Sequence, residues 1–242
     1  MKKKQSLHAY IKEELVERIK SSVYKVGDKF PTENELCDEF QVSRTTVRSA
    51  LNQLTMEGYL VRQRGKGSFV AEPKVHQTLS ATTYGYDEQL KSQGKKGEIT
   101  LKSMDVVPAT GNRKRVFNLE ENDPIQKIKR IRKANNEIIQ YEIAYIPWEV
   151  APAISKKDVE RSLYRSLQEH YQVEIAKTTE LLEIVLTDKD TSNYLECEIG
   201  LPCFYIETVA EDKNGRVIEF SKSYFRGDKT NFKIERHYSS NN

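Results

Sequence analysis

Two pairs of arginines carry most of the chemistry that this sequence offers. Arg44 and Arg48 lie four residues apart, behind Ser43 and among Thr45 and Thr46. Arg130 and Arg132 lie two apart, the spacing that puts both on one face of a strand. A guanidinium presents a planar fork of N–H donors that matches a phosphate, a carboxylate or a base edge. Hydroxyls and the free N–H groups of a helix start suit phosphate oxygens. The first pair therefore points to a polyanion, and the second, beside Ile128, to either an anion pocket or a solvated face. Other chemistry is poorly represented. The histidines, His8, His76, His170 and His237, are scattered. Cys37, Cys197 and Cys203 are odd in number and lack CxxC spacing, so they read as buried thiols and not as disulfides or zinc ligands. There is no nucleophile–base pair, metal spacing or Gly-rich phosphate loop. No cofactor and no catalytic set is expected.

The chain has 242 residues, enough for two modest cores. No stretch approaches the ~18 apolar residues of a membrane helix. The start, MKKKQSLHAYIKEEL, is basic like a signal peptide, but Lys12, Glu13 and Glu14 interrupt any apolar region. A cytoplasmic protein with no membrane partner is expected. The net charge of +3 lies wholly in residues 1–72, with 13 Lys+Arg against 10 Asp+Glu. Within residues 41–71, Arg44, Arg48, Arg62, Arg64 and Lys66 face one acid, Glu57. A local basic surface on an otherwise neutral chain points to a polyanion.

The N-terminal third reads as three helices and a hairpin. Ser6 can cap a helix to Lys20, with Leu7, Tyr10, Ile11, Leu15 and Ile19 on one stripe. Thr32 with Glu35 makes a capping box for a helix ending near Phe40. Ser43 caps a third helix over Arg44–Glu57, stopped by Gly58, with Val47, Leu51 and Leu54 inward. Tyr59–Arg64 and Ser68–Ala71 read as strands joined at Gly65-Lys66-Gly67. The short connection between the second and third helices fits a helix-turn-helix, and the basic hairpin makes a wing. The third helix can enter the major groove and present Arg44 and Arg48 to base edges. Gly65 and Gly67 leave a slim wing tip from which Lys66 can reach the minor groove.

The run FPTENELCDEFQVSRTTVRSALNQLTMEGYLVRQRGKGSFV resembles the DNA-binding domain of the GntR family of bacterial transcription regulators. Pro31, Glu33, Val42, Ser43, Arg44, Thr46, Val47, Arg48, Gly58, Gly65, Gly67 and Val70 carry the pattern. The resemblance implies contacts to double-stranded operator DNA from Thr32, Asn34, Ser43, Arg44, Thr45, Thr46, Arg48, Arg64, Gly65, Lys66 and Gly67. Asn34 stands where members often carry an arginine that touches DNA, which alters the contact made there.

Residues 73–83, PKVHQTLSATT, read as a linker. The remainder, 84–242, reads as α+β with antiparallel strands. A short helix is expected over Tyr86–Gln93, with Asp87 as a good N-cap. Glu98–Val107 reads as a strand and Pro108–Asn112 as a turn. Ile125–Lys133 and Ile138–Ile146 form a hairpin about Asn135-Asn136. One helix is expected over Asp158–Tyr171, a strand over Thr178–Thr187, a short helix over Asp188–Leu195, and a last hairpin over Phe204–Asp212 and Arg216–Phe225. Glu219, Ser221, Ser223 and Phe225 share a face. Read from the residues alone, Glu142 and Glu219 either hold a ligand or pair with Arg130 and Arg132. Tyr164 either lines a site or packs under the sheet.

Arg130-Ile-Arg132, Tyr141-Glu142, Ser162-Leu-Tyr164 and the ending from Glu219 to Asp228 resemble the HutC-type effector domain. This is the UTRA domain, with a chorismate-lyase-like fold. The resemblance implies a homodimer and a small-molecule effector, with Arg130, Arg132, Ser162 and Tyr164 at a phosphate and Glu142 and Glu219 at sugar hydroxyls. Tyr86 and Asp87 replace residues that help cradle the phosphate, and Phe225 replaces a tyrosine near the ending. The chain is therefore read as a winged helix-turn-helix domain (1–72), a linker (73–83) and a UTRA-type effector-binding and dimerisation domain (84–242). Its expected role is a repressor of a carbohydrate-utilisation operon, not an enzyme. A phosphorylated sugar is the favoured effector and a carboxylate the alternative.

Overall fold

A computed structural model describes residues 6–78 and 86–234; the side chains of Thr78, Asp87 and Glu88 lie outside the description. The chain divides into two compact units, Met1–Lys74 with Gly227–Lys229, and Val75–Arg226 with Thr230–Asn242.

The first unit contains α1 (Leu7–Lys20), α2 (Glu33–Phe40), α3 (Arg44–Met56), β1 (Leu60–Gln63) and β2 (Gly67–Val70). Its helix ends are set by local chemistry. The Thr32 hydroxyl accepts from the Glu35 N–H at 3.3 Å, and the Glu35 carboxylate accepts from the Thr32 N–H at 2.7 Å. This capping box satisfies N–H groups that would otherwise lack partners. Gln41, left-handed at φ 53°, ends α2 and turns the chain sharply toward Ser43, whose hydroxyl accepts from the Thr46 N–H at 3.3 Å. Gly58, at φ 78°, follows α3. Ile11, Leu15, Leu36, Val47, Ala50 and Leu54 are fully buried and join the helices. The apolar stripe of α1 is narrower than expected: Leu7 and Tyr10 stay 54% and 52% exposed, while Val16 is buried. The β1–β2 hairpin is extended by residues 28–30. The Phe30 N–H donates to the Ser68 carbonyl at 2.8 Å, and the Val70 N–H donates to the Asp28 carbonyl at 3.0 Å.

The second unit contains β3 (Val75–Thr78), α4 (Tyr86–Lys91), β4 (Gly97–Pro108), α5 (Gly111–Phe117), β5 (Pro124–Ala134), β6 (Glu137–Pro147), α6 (Lys156–Arg161), α7 (Leu163–Tyr171), β7 (Lys177–Leu186), α8 (Lys189–Leu195), β8 (Pro202–Glu211), β9 (Val217–Arg226) and β10 (Thr230–Lys233). Six strands make one antiparallel sheet in the order β4-β5-β6-β9-β8-β7. Asn135 and Asn136 both take positive φ, as a tight hairpin between β5 and β6 requires.

Four features differ from the sequence reading. Residues 75–78, inside the expected linker, form β3, with Val75 buried and paired in parallel to Thr230. Residues 79–83 lie outside the described residues. The expected turn at 108–112 runs into a helix, α5, whose anchor is the buried Phe117. Asp87 lies inside α4, one residue past its start, and not at a cap. The single helix expected over 158–171 is two, broken at Ser162, which is extended at φ −169° and ψ 111°.

Alternation along β5, β6 and β9 places Ile128, Arg130, Arg132, Gln140, Glu142, Ala144, Glu219, Ser221, Ser223 and Phe225 on one face. Val159, Leu163 and Leu167 of α6 and α7 pack on the apolar part of that face, against Ile128 and Ala144. The other face sets Ile131 and Tyr141 against Leu195 of α8.

Replacing Thr32 by Ala removes one half of the capping box. It is expected to lower unfolding free energy by about 1 kcal/mol, measured by urea denaturation; an unchanged midpoint would show that the box is not needed.

Candidate nucleic-acid interface and anion site

The N-terminal turn of α3 stands out from the core, with Ser43, Arg44, Thr45 and Arg48 exposed and Thr46 half-buried. The start of α2 holds both arginines. The Arg44 Nη2 donates to the Asn34 Oδ1 at 2.5 Å. The Arg48 Nε and Nη2 donate to the Glu33 carboxylate at 3.3 and 3.1 Å. That hydrogen-bonded guanidinium holds the Glu33 carboxyl below its ordinary range. The pair is largely exposed, so its worth to stability is small. In the hairpin, the Arg62 Nη2 donates to the Asn52 Oδ1 at 2.6 Å, tying the wing strand to α3. Arg64, Gly65, Lys66 and Gly67 are exposed at the tip, where both glycines take positive φ. Among the described residues, the side chains of Arg64 and Lys66 make no hydrogen bond or ion pair. Thr32 serves α2 as its cap and is exposed beside Glu33. Sequence reasoning did not find the holding roles of Glu33, Asn34 and Asn52. Glu33 was visible only as part of the Pro-x-Glu signature.

On the sheet of the second unit, Arg130 is 2% exposed and its guanidinium is fully engaged. Its Nε and Nη2 donate to the Glu142 Oε2, the former at 2.8 Å, and its Nη1 donates to the Val159 carbonyl at 2.9 Å. Arg132 is more open. Its Nη1 donates to the Gln140 Oε1 at 2.9 Å and its Nη2 to the Glu142 Oε1 at 3.2 Å. Its Nε is buried with no hydrogen-bond partner among the described residues. Its guanidinium lies 5.5 Å from the centroid of the Tyr86 ring, whose hydroxyl donates to the Lys133 carbonyl at 2.7 Å. Gln140, not anticipated from the sequence, also donates to the Ser223 hydroxyl at 3.1 Å. Its place two residues before Glu142 on the same face was the signal.

The two glutamates behave differently. Burial opposes charge on Glu142, but the guanidiniums of Arg130 and Arg132 outweigh it and hold the carboxyl below the usual range. Glu219, 1% exposed, accepts from the Tyr164 hydroxyl at 3.0 Å. Burial, with the charge of Glu142, pushes its carboxyl up to about 7, against the Ser221 and Tyr164 hydrogen bonds and the charge of Arg130. The Ser162 hydroxyl caps no N–H group at the head of α7. Phe225 packs edge-on against Phe232, with ring centroids 5.2 Å apart. Asp87 lies in the first turn of α4.

The structure thus brings Arg130, Arg132, Glu142 and Tyr86 into one connected group, and Tyr164 and Glu219 into another on the same face. A cavity of about 290 Å³ lined by Lys102, Asn193, Tyr194 and Glu196 contains none of these residues. Of the cysteines, Cys203 is buried and Cys37 and Cys197 are half-buried.

Comparison with known proteins gives a consistent result. Residues 7–70 match the family described as bacterial regulatory proteins, gntR family, and residues 92–231 match the UTRA domain. The chain is 34% identical to the uncharacterized HTH-type transcriptional regulator YurK of Bacillus subtilis, over 96% of each chain. It is 30% identical to the HTH-type transcriptional repressor NagR of the same organism, over 93% of each. Its fold is similar to the crystal structure of PhnF from Mycobacterium smegmatis, at TM-score 0.66 and 25% identity, covering 95% of this chain and 100% of that one. Among the described residues, no helix is long and apolar enough to cross a membrane.

The raised Glu219 carboxyl has a measurable consequence. Between the ordinary carboxyl pKa of 4.5 and about 7, the folded state holds a proton that the unfolded chain has lost. Stability is therefore highest below 4.5 for this group and falls as pH rises through 7. Glu219→Gln is expected to abolish that fall, worth about 3 kcal/mol at most. Urea denaturation at pH 5 and pH 8 checks this; parallel pH profiles for the two proteins would refute it.

Proposed function

Because the chain belongs to the GntR family and is a DNA-binding transcription regulator with a UTRA domain, we propose that it represses a carbohydrate-utilisation operon. Its effector is a small anion, with a phosphorylated sugar favoured and a carboxylate as the alternative. It acts where the chromosome is, in the cytoplasm. The observation that carries the effector reading is Arg132, whose buried Nε lacks a partner on a face where Ser162 has a hydroxyl to spare at the head of α7. A guanidinium, a free hydroxyl and the unsatisfied N–H groups of a helix start are donors suited to phosphate oxygens. Arg130, saturated by Glu142 and Val159, supports the site and contributes its charge. The similarity to NagR, a repressor, favours repression over activation.

For DNA, the reading is supported by the exposed row at the start of α3 and the uncommitted Arg64 and Lys66 at the wing tip. One such unit makes few contacts, and a two-fold protein suits two half-sites. A homodimer is supported by β7, exposed along almost its whole length, with Leu181, Ile184 and Leu186 57%, 74% and 67% exposed. An apolar edge strand of that kind is a template for another chain. Effector control then requires that the ligand bind one arrangement of the dimer better than the other.

Arg44→Ala is expected to weaken operator binding by roughly 10- to 100-fold, the loss of one bidentate base contact. Lys66→Ala is expected to reduce the salt dependence by about one phosphate contact. Gel shifts at several salt concentrations test both, and unchanged affinity in Arg44→Ala would reject the recognition helix. Arg132→Ala is expected to bind operator but to resist release by sugar phosphates. Normal release from that variant would reject the effector site.

A further inference from the structure

The first unit is not closed by its own stretch of chain. Gly227–Lys229 belongs to it, although Arg226 and Thr230 on either side belong to the second unit. The seat of this loop is Gly58, at the end of α3. A Cβ at Gly58 would lie 1.9 Å from the Asp228 carbonyl oxygen and 2.8 Å from the Lys74 Cε, closer than real side chains come. The positive φ of Gly58 suits a helix stop, but Asn also serves that purpose. The approach of the Asp228 carbonyl is what forbids any side chain. Lys74, where the N-terminal stretch leaves the unit, closes the seat: its Nζ donates to the Gly227 carbonyl at 2.6 Å. Lys74 is half-buried, and burial pushes its ammonium pKa down against the charges of Asp228 and Glu57.

The flanks of the loop lead into the second unit. On one side β9, which carries Glu219, Ser221, Ser223 and Phe225 on the effector face, runs to Arg226 and directly into Gly227. β9 is paired on both sides, by β6 and β8. On the other side β10 begins at the fully buried Thr230 and pairs in parallel with β3, which begins one residue after Lys74. That pairing is thin. β10 has 4 residues, and the buried Thr230 Oγ1 and Gln77 Nε2 have no hydrogen-bond partner among the described residues. Unmet buried polar groups are costly, so β3–β10 is a poor anchor and β9 is the firm one.

We propose that Gly227–Lys229 is the strut by which occupancy of the effector face reaches α3, with Gly58 and Lys74 as the positioning residues that seat it. The proposal rests on the reading of the β9 face as the effector site and of α3 as the DNA-reading helix. A shift of β9 is carried along the chain to the loop, and the close fit at Gly58 leaves no slack to absorb it. The seated and the released loop are two arrangements of one element, biased from both sites, as coupling requires. Neither Gly58 nor Lys74 is among the residues assigned to DNA or to the effector. Disturbing the seat therefore breaks the coupling and spares both affinities.

Two variants of the full-length chain test the seat. Lys74→Met removes the ammonium group and keeps the stem; Gly58→Ala adds the Cβ. Gly27→Ala is the control, because Gly27 has φ +83° with nothing within 4 Å of a Cβ, so it bears the backbone cost without the clash. Hydrogen exchange read by mass spectrometry is expected to be at least about threefold faster along residues 222–226 in both seat variants, and unchanged there in the control. In gel shifts, Lys74→Met is expected to bind operator as the wild type does. Its release by glucose 6-phosphate, glucosamine 6-phosphate or N-acetylglucosamine 6-phosphate is expected to weaken at least about fivefold. Calorimetry is expected to show that it still binds the sugar phosphate, whereas Arg132→Ala does not. Full release from Lys74→Met overturns the strut. So does faster exchange confined to residues 57–59 and 227–229, or equal in Gly27→Ala. If no sugar phosphate releases the wild type, the effector reading fails, and exchange along β9 still decides the strut.

Discussion

A guanidinium that is almost wholly buried must have its donors met, and Arg130 imposes that demand on the second unit. Glu142, directly across on β6, supplies the carboxylate. The third nitrogen, Nη1, donates to the Val159 carbonyl. In an unbroken helix that carbonyl would accept from the N–H of residue 163. The break at Ser162 releases it to Arg130 and, in the same step, starts a new helix at Leu163. The structural ion pair and the free hydroxyl at the head of α7 are thus two results of one interruption. Arg130 is spent on holding the scaffold, and its neighbour two residues on is left with capacity for a ligand.

The first unit solves a smaller problem with short-range devices. Thr32, Gln41, Ser43 and Gly58 set where α2 and α3 begin and end. The four buried positions of α3 orient its polar side outward. What Asn34 does follows from this placement. It holds Arg44 from the side, where an arginine would instead repel it.

Much of this was legible because it is local. The capping box, the serine cap, the glycine stop, the Asn135-Asn136 hairpin and the two-residue alternation each follow from a few adjacent residues, and the helix and strand bounds came out close. The common face of Arg130 and Arg132, and separately that of Glu219, Ser221, Ser223 and Phe225, were legible for the same reason; that the two are one face is set by the pairing of β5, β6 and β9. The misses are non-local. β3 exists because Val75 meets Thr230, more than 150 positions away, and nothing in PKVHQTLSATT announces it. The helix break at Ser162 is chosen by an arginine on β5, against a helical pattern that runs through it. α5 has no apolar stripe, only Val116 and Phe117 after three basic residues. Which arginine has every guanidinium nitrogen engaged and which keeps an unmet Nε depended on partners such as Gln140 and Val159 that carry no signature of their own.

The Glu33–Arg48 pair has a further meaning for how the first unit samples DNA. A carboxylate already seated on Arg48 is a tethered competitor, present at high local concentration and losing no translational freedom. A phosphate drifting past must displace it, and the released carboxylate then faces a polyanion. The pair is exposed and weak, so the exchange costs little once other contacts hold the phosphate in place; if α3 meets DNA as proposed, Glu33 tilts the balance toward seated encounters over passing ones.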